Sequence, residues 1–380
     1  MGIIFSSFNG LEPSLRFGHF VGNWEKSKLS SLFKKCLEKN KNGLVDNVIC
    51  NSAKNGLMPQ RDFFDKDIAN TENTNGYYII QENDFVYNPR KSNEAPYGPI
   101  SMYKYKDKGI VSPLYLCFRA TKEIHPRYFE MYFKSSVWHK YIYFAGDSGA
   151  RYDRVSIKDD VFFEMPINIP SLPEQQKIAD FLSLVDRRIE KQRQLVESLK
   201  KYKRGALSRV FNDVLETVKL SDISNFISSA RTLSTTLNGN KGIYPVYDAA
   251  GIAGYIDYYD IDSDYITIVK DGSGVGRLQK CDKKSSFIGT LGALVAKNCT
   301  TDFLYAVLQT IDFSKFVTGM AIPHIYYRDY KSTLLPFPSE EKQHFISQLL
   351  KKFDIYIENE TQKLTNMLAY KQGLLQQMFI

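Results

Sequence analysis

The side chains best suited to chemistry in this chain are cations, planar amides and phenols gathered at the ends of short apolar runs. Asn88-Pro-Arg90-Lys91 follows Asp84-Phe-Val-Tyr87, with Tyr97 shortly after, and Arg151-Tyr152-Asp-Arg154 forms a second basic-aromatic cluster. In the other half of the chain, Lys270, Ser273 and Arg277 bracket a glycine-rich stretch, and His324-Ile-Tyr326-Tyr327 follows Ala321-Ile-Pro. Such groups supply what nucleic-acid contact requires: cations for phosphates, and planar donors or acceptors for base edges. The candidate contacts are therefore Tyr87, Asn88, Arg90, Lys91, Tyr97, Arg151, Tyr152 and Arg154 in the first half, and Lys270, Ser273, Arg277, His324, Tyr326 and Tyr327 in the second. Each has an ordinary alternative, because Tyr packs cores and Arg pairs with nearby Asp.

Other chemistry is poorly supported. Ile268-Val-Lys-Asp-Gly-Ser-Gly-Val-Gly276 has the alternating glycines of a cofactor-binding loop, but Arg277 to Asp282 reads as another strand and turn rather than the opening of a helix. A β-turn or bulge is the plain reading of these glycines, and a loop whose amides approach a phosphate is the sharper one. No Asn/Asp-Pro-Pro-aromatic motif of an adenine methyltransferase occurs, and no G-x-x-x-x-G-K-[ST] loop for ATP. Glu340-Glu-Lys342 has the look of a nuclease fragment but sits where acidic residues favour a helix start. The five histidines lack metal-ligand spacing, and the five cysteines contain no C-x-x-C pair, so the thiols are expected to be buried. No catalytic residue and no metal site is assigned.

Two elements must position the candidates, and an internal repeat reveals them. Pro170 to Phe211 aligns without a gap on Pro338 to Phe379, offset by 168, with 14 of 42 positions identical. Chance would supply about two or three. In each copy the apolar residues follow a 4-3-4-3 spacing: Ile178, Leu182, Val185, Ile189, Val196 and Leu199, then Ile346, Leu350, Phe353, Ile357, Leu364 and Met367. The spacing predicts two amphipathic helices of about 57 Å each, whose stripes pack against each other as a coiled coil. Packing of each helix on its own domain is the alternative. Segments 1–172 and 212–337 contain short β-like runs punctuated by Gly, Asn, Asp and Pro. Strands are predicted at 76–80, 84–90, 111–118, 265–270 and 287–295, and helices at 127–143 and 303–316. The predicted order is domain (1–172), spacer helix (173–211), domain (212–337), spacer helix (338–380), an α+β chain.

Composition agrees with globular domains rather than disorder: 43% hydrophobic and 24% charged residues over 380 positions, enough for two cores. The net charge of +8 is compatible with nucleic acid, and its surplus lies in the first half. Segment 212–337 carries 12 basic and 13 acidic residues. There Asp260, Asp262 and Asp264 are predicted to alternate along one strand face, turned to solvent or a partner. No stretch approaches the roughly 20 apolar residues of a membrane span, and Met1 to Ser7 shows no secretory leader, which points to the cytoplasm.

This layout resembles the specificity subunit of type I restriction-modification systems. The likeness rests on Leu15-Arg-Phe17, Gly22-Asn-Trp-Glu25 and Lys28-Leu29, on Asp84-Phe-Val-Tyr-Asn88, and on Tyr244-Pro-Val-Tyr247, Gly251-Ile-Ala-Gly-Tyr255 and Ala321-Ile-Pro-His-Ile325. Its most specific part is Pro170-Ser-Leu-Pro-Glu-Gln175; the counterpart Pro338-Ser-Glu-Glu-Lys-Gln343 departs at the Leu-Pro-Glu core. The resemblance implies two pseudo-symmetric mixed α/β target-recognition domains separated by two long antiparallel helices. It further implies a non-catalytic subunit that reads a bipartite, asymmetric site in double-stranded DNA. Two methyltransferase (M) subunits using S-adenosylmethionine and restriction (R) subunits using ATP and Mg²⁺ would be its partners, with no cofactor in this chain. A non-catalytic scaffold joining two binding domains through a coiled coil is the alternative.

Overall fold

A computed structural model describes residues 3–5, 12–41, 43–62, 74–146, 153–237, 242–319 and 321–380. The chain forms two units, Met1–Lys191 with Leu364–Ile380, and Gln192–Lys363. Each unit therefore takes part of both long helices, whereas the sequence alone set the helices apart as separate segments.

In the first unit an antiparallel sheet runs in the order Phe33–Lys35, Leu116–Ala120, Phe85–Tyr87, Ile100–Met102. Helix Pro126–Lys134 covers it, with Phe129 against Phe33 at 5.1 Å and Phe133 against Phe85 at 5.5 Å between ring centres. His125 opens this helix by accepting the Tyr128 amide, and Pro126 suits the first turn. The single helix predicted over 127–143 is two. The Ser135 hydroxyl donates to the Tyr132 carbonyl and the Trp138 indole to the Phe133 carbonyl, which ends the first helix before His139–Ala145 begins. The strand predicted over 111–118 is likewise two, Gly109–Val111 and Leu116–Ala120, separated by a turn that contains Pro113.

The second unit repeats this order. Its antiparallel sheet runs Ser224–Ser228, Leu291–Ala296, Tyr265–Val269, Leu278–Cys281. Helix Thr301–Leu308, opened by the Thr300 hydroxyl on the Phe303 amide, lies where Pro126–Lys134 lies in the first. It stops at Leu308, short of the predicted 316, and a 3-10 turn at Phe313–Phe316 follows. The strand predicted over 287–295 splits into Ser286–Phe287 and Leu291–Ala296 around Gly289. The predicted acidic strand face does not form. Asp260, Asp262 and Asp264 lie in the connection before Tyr265, where Ile261 makes one isolated bridge to Ser285. Polar groups there are satisfied locally: Arg231 pairs with Asp260, and Asp264 accepts the Lys283 amide.

In each unit a short antiparallel pair leads the chain into a long helix: Glu25–Lys28 with Pro166–Ile169, and Thr217–Lys219 with Leu334–Pro336. The helices are Leu172–Asn212 and Glu340–Gln377. A glutamine at the same place in each copy holds the entry, Gln175 donating to the Pro170 carbonyl at 3.0 Å and Gln343 to Pro338 at 2.9 Å. The helices run antiparallel within each unit. In the second, Gln192 donates to Glu360 at 2.7 Å and Lys203 to Asp354 at 2.6 Å; in the first, Lys371 reaches Asp186 at 2.5 Å. Gln192 and Glu360 are equivalent positions of the repeat, and the two Lys–Asp pairs are equivalent to each other.

All twelve stripe residues are buried or half-buried, but they do not all serve one seam. Ile178 and Leu182 join the first domain's core beside Leu375 and Phe379, and Ile346 and Leu350 join the second domain's core beside Leu207 and Phe211. The helix starts thus pack on the domains, which the coiled-coil expectation had set aside. The middle of the stripe, Val185, Ile189, Val196, Leu199, Phe353, Ile357, Leu364 and Met367, lies outside both of those core sets, apart from Val185 at the edge of the first.

Candidate nucleic-acid interface

In the first unit, the hairpin loop between strands Phe85–Tyr87 and Ile100–Met102 carries Asn88, Arg90 and Lys91. It zips onto the segment before the short helix Asp159–Phe163: Arg90 and Arg154 form an antiparallel bridge, the Lys91 amide donates to the Asp153 carbonyl, and the Val155 amide to the Pro89 carbonyl. These strips wall a cleft of about 370 Å³ lined by Asn51, Ser52, Asn88, Arg90, Lys91 and Arg154. Arg90 and Lys91 are exposed and Arg154 half-buried. Arg154 Nε lies 3.9 Å from the Asp153 carboxylate and has no hydrogen-bond partner among the described residues. Asn88 spends its amide on the Asn51 carbonyl and its Oδ1 on the Arg90 amide, so it shapes the loop. Burial raises the pKa of the Tyr115 hydroxyl on the cleft wall.

One predicted contact moves to the core. Tyr87 is 1% exposed, stacks on Phe162 and donates its hydroxyl to the Tyr97 carbonyl at 2.9 Å. A side chain so enclosed cannot touch DNA, and Tyr87 belongs to the core. Tyr97 is half-buried against the His139 ring at 4.9 Å. Arg151 and Tyr152 lie outside the described residues. A larger cleft of about 730 Å³ in the same unit, lined by Lys104, Glu130, His139 and Lys371 among others, contains none of the predicted contacts.

In the second unit the equivalent hairpin loop, between Tyr265–Val269 and Leu278–Cys281, carries Lys270, Ser273 and Arg277. It also zips onto the segment before a short helix, here Tyr327–Tyr330: Asp271 bridges His324, the Gly272 amide donates to the Pro323 carbonyl, and the Ile325 amide to the Lys270 carbonyl. The amides of Gly272, Val275, Gly276 and Arg277 all donate to carbonyls of this unit, as the tight-turn reading of the glycines expects. Gly276 has φ +85°, and a Cβ there would meet Phe313 at 2.8 Å. Lys270 pairs with Asp271, while Ser273 and Arg277 are exposed. Tyr326 is exposed, packs on His324 at 5.0 Å, and carries the Arg328 guanidinium 4.7 Å above its ring. Tyr327 is instead stacked on Phe226 at 4.4 Å and 5°, a packing role.

The same hairpin loop thus meets the same strip in both units. The family described as type I restriction modification DNA specificity domain matches this chain twice, over residues 22–201 and 212–368. The chain belongs to this family.

As a specificity subunit with two such domains, it contributes recognition rather than catalysis. It is 28% identical over 201 residues to a Mycoplasma pneumoniae protein named as a type I specificity subunit, S.MpnORF201P, covering 50% of this chain and 84% of that one. It is 27% identical over 115 residues to the type I restriction enzyme EcoprrI specificity subunit of Escherichia coli, covering 30% of this chain and 28% of that one. Among solved structures it resembles the type I restriction-modification S subunit of M. genitalium, with a TM-score of 0.55, 18% identity, and 97% and 99% of the two chains covered. A chain from a study of complex assembly and conformational transition of the type I R-M system aligns with a TM-score of 0.58 at 15% identity, over 93% and 96% of the two chains.

Sequence reasoning missed three features of these specificity domains. Asn51, Ser52 and Tyr115 complete the first cleft from elsewhere in the fold, and nothing near them in sequence points there. Arg328 escaped notice although it follows Tyr326-Tyr327 directly. Arg16 and Glu174 form a buried two-pronged ion pair, Nε and Nη2 each at 2.8 Å, joined by the Trp24 indole at 3.3 Å. The Leu-Pro-Glu-Gln start of the first helix and the Arg16 to Trp24 segment are therefore halves of one lock. Among the described residues, no helix is long and apolar enough to cross a membrane and no group of three or more His, Cys, Asp or Glu could hold a metal. Burial raises the thiols of Cys36 to about 12 and of Cys281 and Cys299 to about 11, which leaves them protonated.

Proposed function

We propose that this chain reads a bipartite, asymmetric site in double-stranded DNA, one half with each domain. The carrying observation is the equivalence of the two interfaces: loop 88–91 bridged to Arg154, and loop 270–277 bridged to His324, stand at the same topological place on sheets of the same strand order. The contacting groups are Arg90, Lys91 and Arg154 in the first domain, with Asn88 and Tyr97 supporting. In the second they are Ser273, Arg277, His324 and Tyr326, with Lys270 beside them. Cations there fix register on phosphates, and Arg, His and Tyr present planar faces and donors to bases.

The chain would act in the cytoplasm by recruiting two methyltransferase subunits, which draw on S-adenosylmethionine to modify adenine, and restriction subunits, which draw on ATP and Mg²⁺. The helix pair is the surface through which such partners and the spacing between half-sites are set, and its middle stripe acts as the coiled-coil seam. Domain limits of 1–172 and 212–337 with spacers 173–211 and 338–380 describe the working parts. Methylome sequencing of cells with and without the gene tests the reading: one split motif should vanish on deletion. An unchanged methylome, with no salt-dependent DNA binding by the purified chain and its methyltransferase partner, would favour a scaffold instead.

A further inference from the structure

We propose that Arg127 is a positioning residue that seats the first recognition domain on the helix pair and so governs which half-site spacing is accepted. The inference rests on the bipartite reading above. Arg127 stands in the first turn of helix Pro126–Lys134, whose aromatic face packs under the recognition sheet. Its guanidinium spends a donor on each of three partners: Glu130 in its own helix, Ser183 Oγ at 3.3 Å, and Asp186 Oδ2 at 2.9 Å, the last two on the first long helix. The other Asp186 oxygen takes Lys371 Nζ of the second long helix at 2.5 Å. One carboxylate thus ties the domain to both helices.

Three properties make this a joint rather than a decoration. Arg127, Asp186 and Lys371 are 26%, 24% and 18% exposed, so water and salt screen the network little. A planar guanidinium held at three points adds a directional constraint to the apolar packing of Ile178, Leu182, Leu375 and Phe379 in the same seat. The helix half of the joint is also built into the repeat. Asp186 and Lys371 have Asp354 and Lys203 as their identical counterparts, and these pair at 2.6 Å. There the domain's helix offers Tyr305 instead, with Lys203 5.9 Å and Lys280 4.8 Å over its ring. The helices present the same Asp–Lys pair twice, and each domain engages it with a different side chain. A domain free to rock on its Asp–Lys pair would carry its reading loop along the DNA and accept half-sites set differently apart.

The test uses the chain in complex with its methyltransferase partner, on DNA with both half-sites fixed and the intervening spacer lengthened or shortened by a base pair. Wild type should methylate one spacing. Arg127→Met and Asp186→Asn should keep both half-site sequences while methylation at the neighbouring spacings rises about tenfold relative to the cognate, and the double variant should go no further, since both changes break one joint. Arg127→Lys keeps the charge with fewer contacts and should widen the preference less. A spacing profile unchanged in folded Arg127→Met, or in Arg127→Lys should the Met variant not fold, overturns the proposal. So does a change in the bases read, which would make Arg127 a contact. If wild type methylates no split site at all, the bipartite reading itself fails, and this inference falls with it.

Discussion

The two recognition units share a topology and differ in how they are locked and charged. In the first, the helix start is clamped by Arg16, Glu174 and Trp24, and the proposed reading cleft is walled by Arg90, Lys91 and Arg154. In the second, Lys342 stands where Glu174 would be, and the proposed reading surface is built on ring contacts of His324, Tyr326 and Arg328. Some acidic residues there pair with local cations: Asp260 with Arg231, Asp271 with Lys270 and Asp302 with Lys280. One topology carries a charged loop in one unit and a ring-packed loop in the other, because sheet and helices set only the loop positions.

The largest test of this contrast is stability. Glu174→Ala leaves the Arg16 guanidinium, among the described residues, with only Glu12 and the Gly22 carbonyl and should cost about 2–3 kcal/mol, whereas Lys342→Ala at the equivalent place should change stability by about 0.5 kcal/mol or less. Both tryptophans, Trp24 and Trp138, lie in the first unit, so urea unfolding followed by tryptophan fluorescence reports on it alone. Acid should also strike the first unit. Burial alone would raise the Glu130 pKa, but Lys134, Lys104 and Arg127 outweigh it and hold the carboxyl at about 2 against an ordinary 4.5. A depressed carboxyl stabilises the fold above its unfolded pKa, so this contribution is whole above about 4.5 and drains away toward about 2. Unfolding against pH should show Glu130→Gln losing that part of the acid dependence.

At the interfaces, Arg154→Ala should lose about 1–3 kcal/mol of discrimination in one half-site, and Arg277→Ala a similar amount in the other. Competition binding with singly altered half-sites checks this, and loss of both halves from either change would break the one-domain, one-half assignment. Tyr87→Phe should cost about 1 kcal/mol of folding stability through its lost bond to the Tyr97 carbonyl and leave DNA affinity alone, the outcome that separates core from contact. Asp260→Asn should likewise have a small effect, about 0–1 kcal/mol in stability. A sharp change in DNA affinity from it would place that acidic loop at the interface.

Much of the architecture was legible because repetition and periodicity are local. The 168-residue offset exposed both helices, and the identical Gln175 and Gln343, Ile178 and Ile346, and Leu207 and Leu375 prove to be entry holds and core anchors. Breaks were less legible. Ser135, Pro113 and Gly289 end elements inside apolar runs whose pattern continues past them. The candidate contacts were found as loop clusters, but Tyr87 was misplaced since an alternating run does not say which face turns inward.

Sequence alone determined the order of domain and helix, the kinship of the two halves and the residue types available for DNA. Pattern, composition and repeat identity are properties of neighbours along the chain. Tertiary structure alone decided that Arg16 meets Glu174 across 158 residues, that Asn51 walls the cleft of Arg154, and that Arg127 joins Asp186 and Lys371. Those pairings depend on where distant segments are brought when apolar faces are buried, and on which ionic partners that burial leaves within reach.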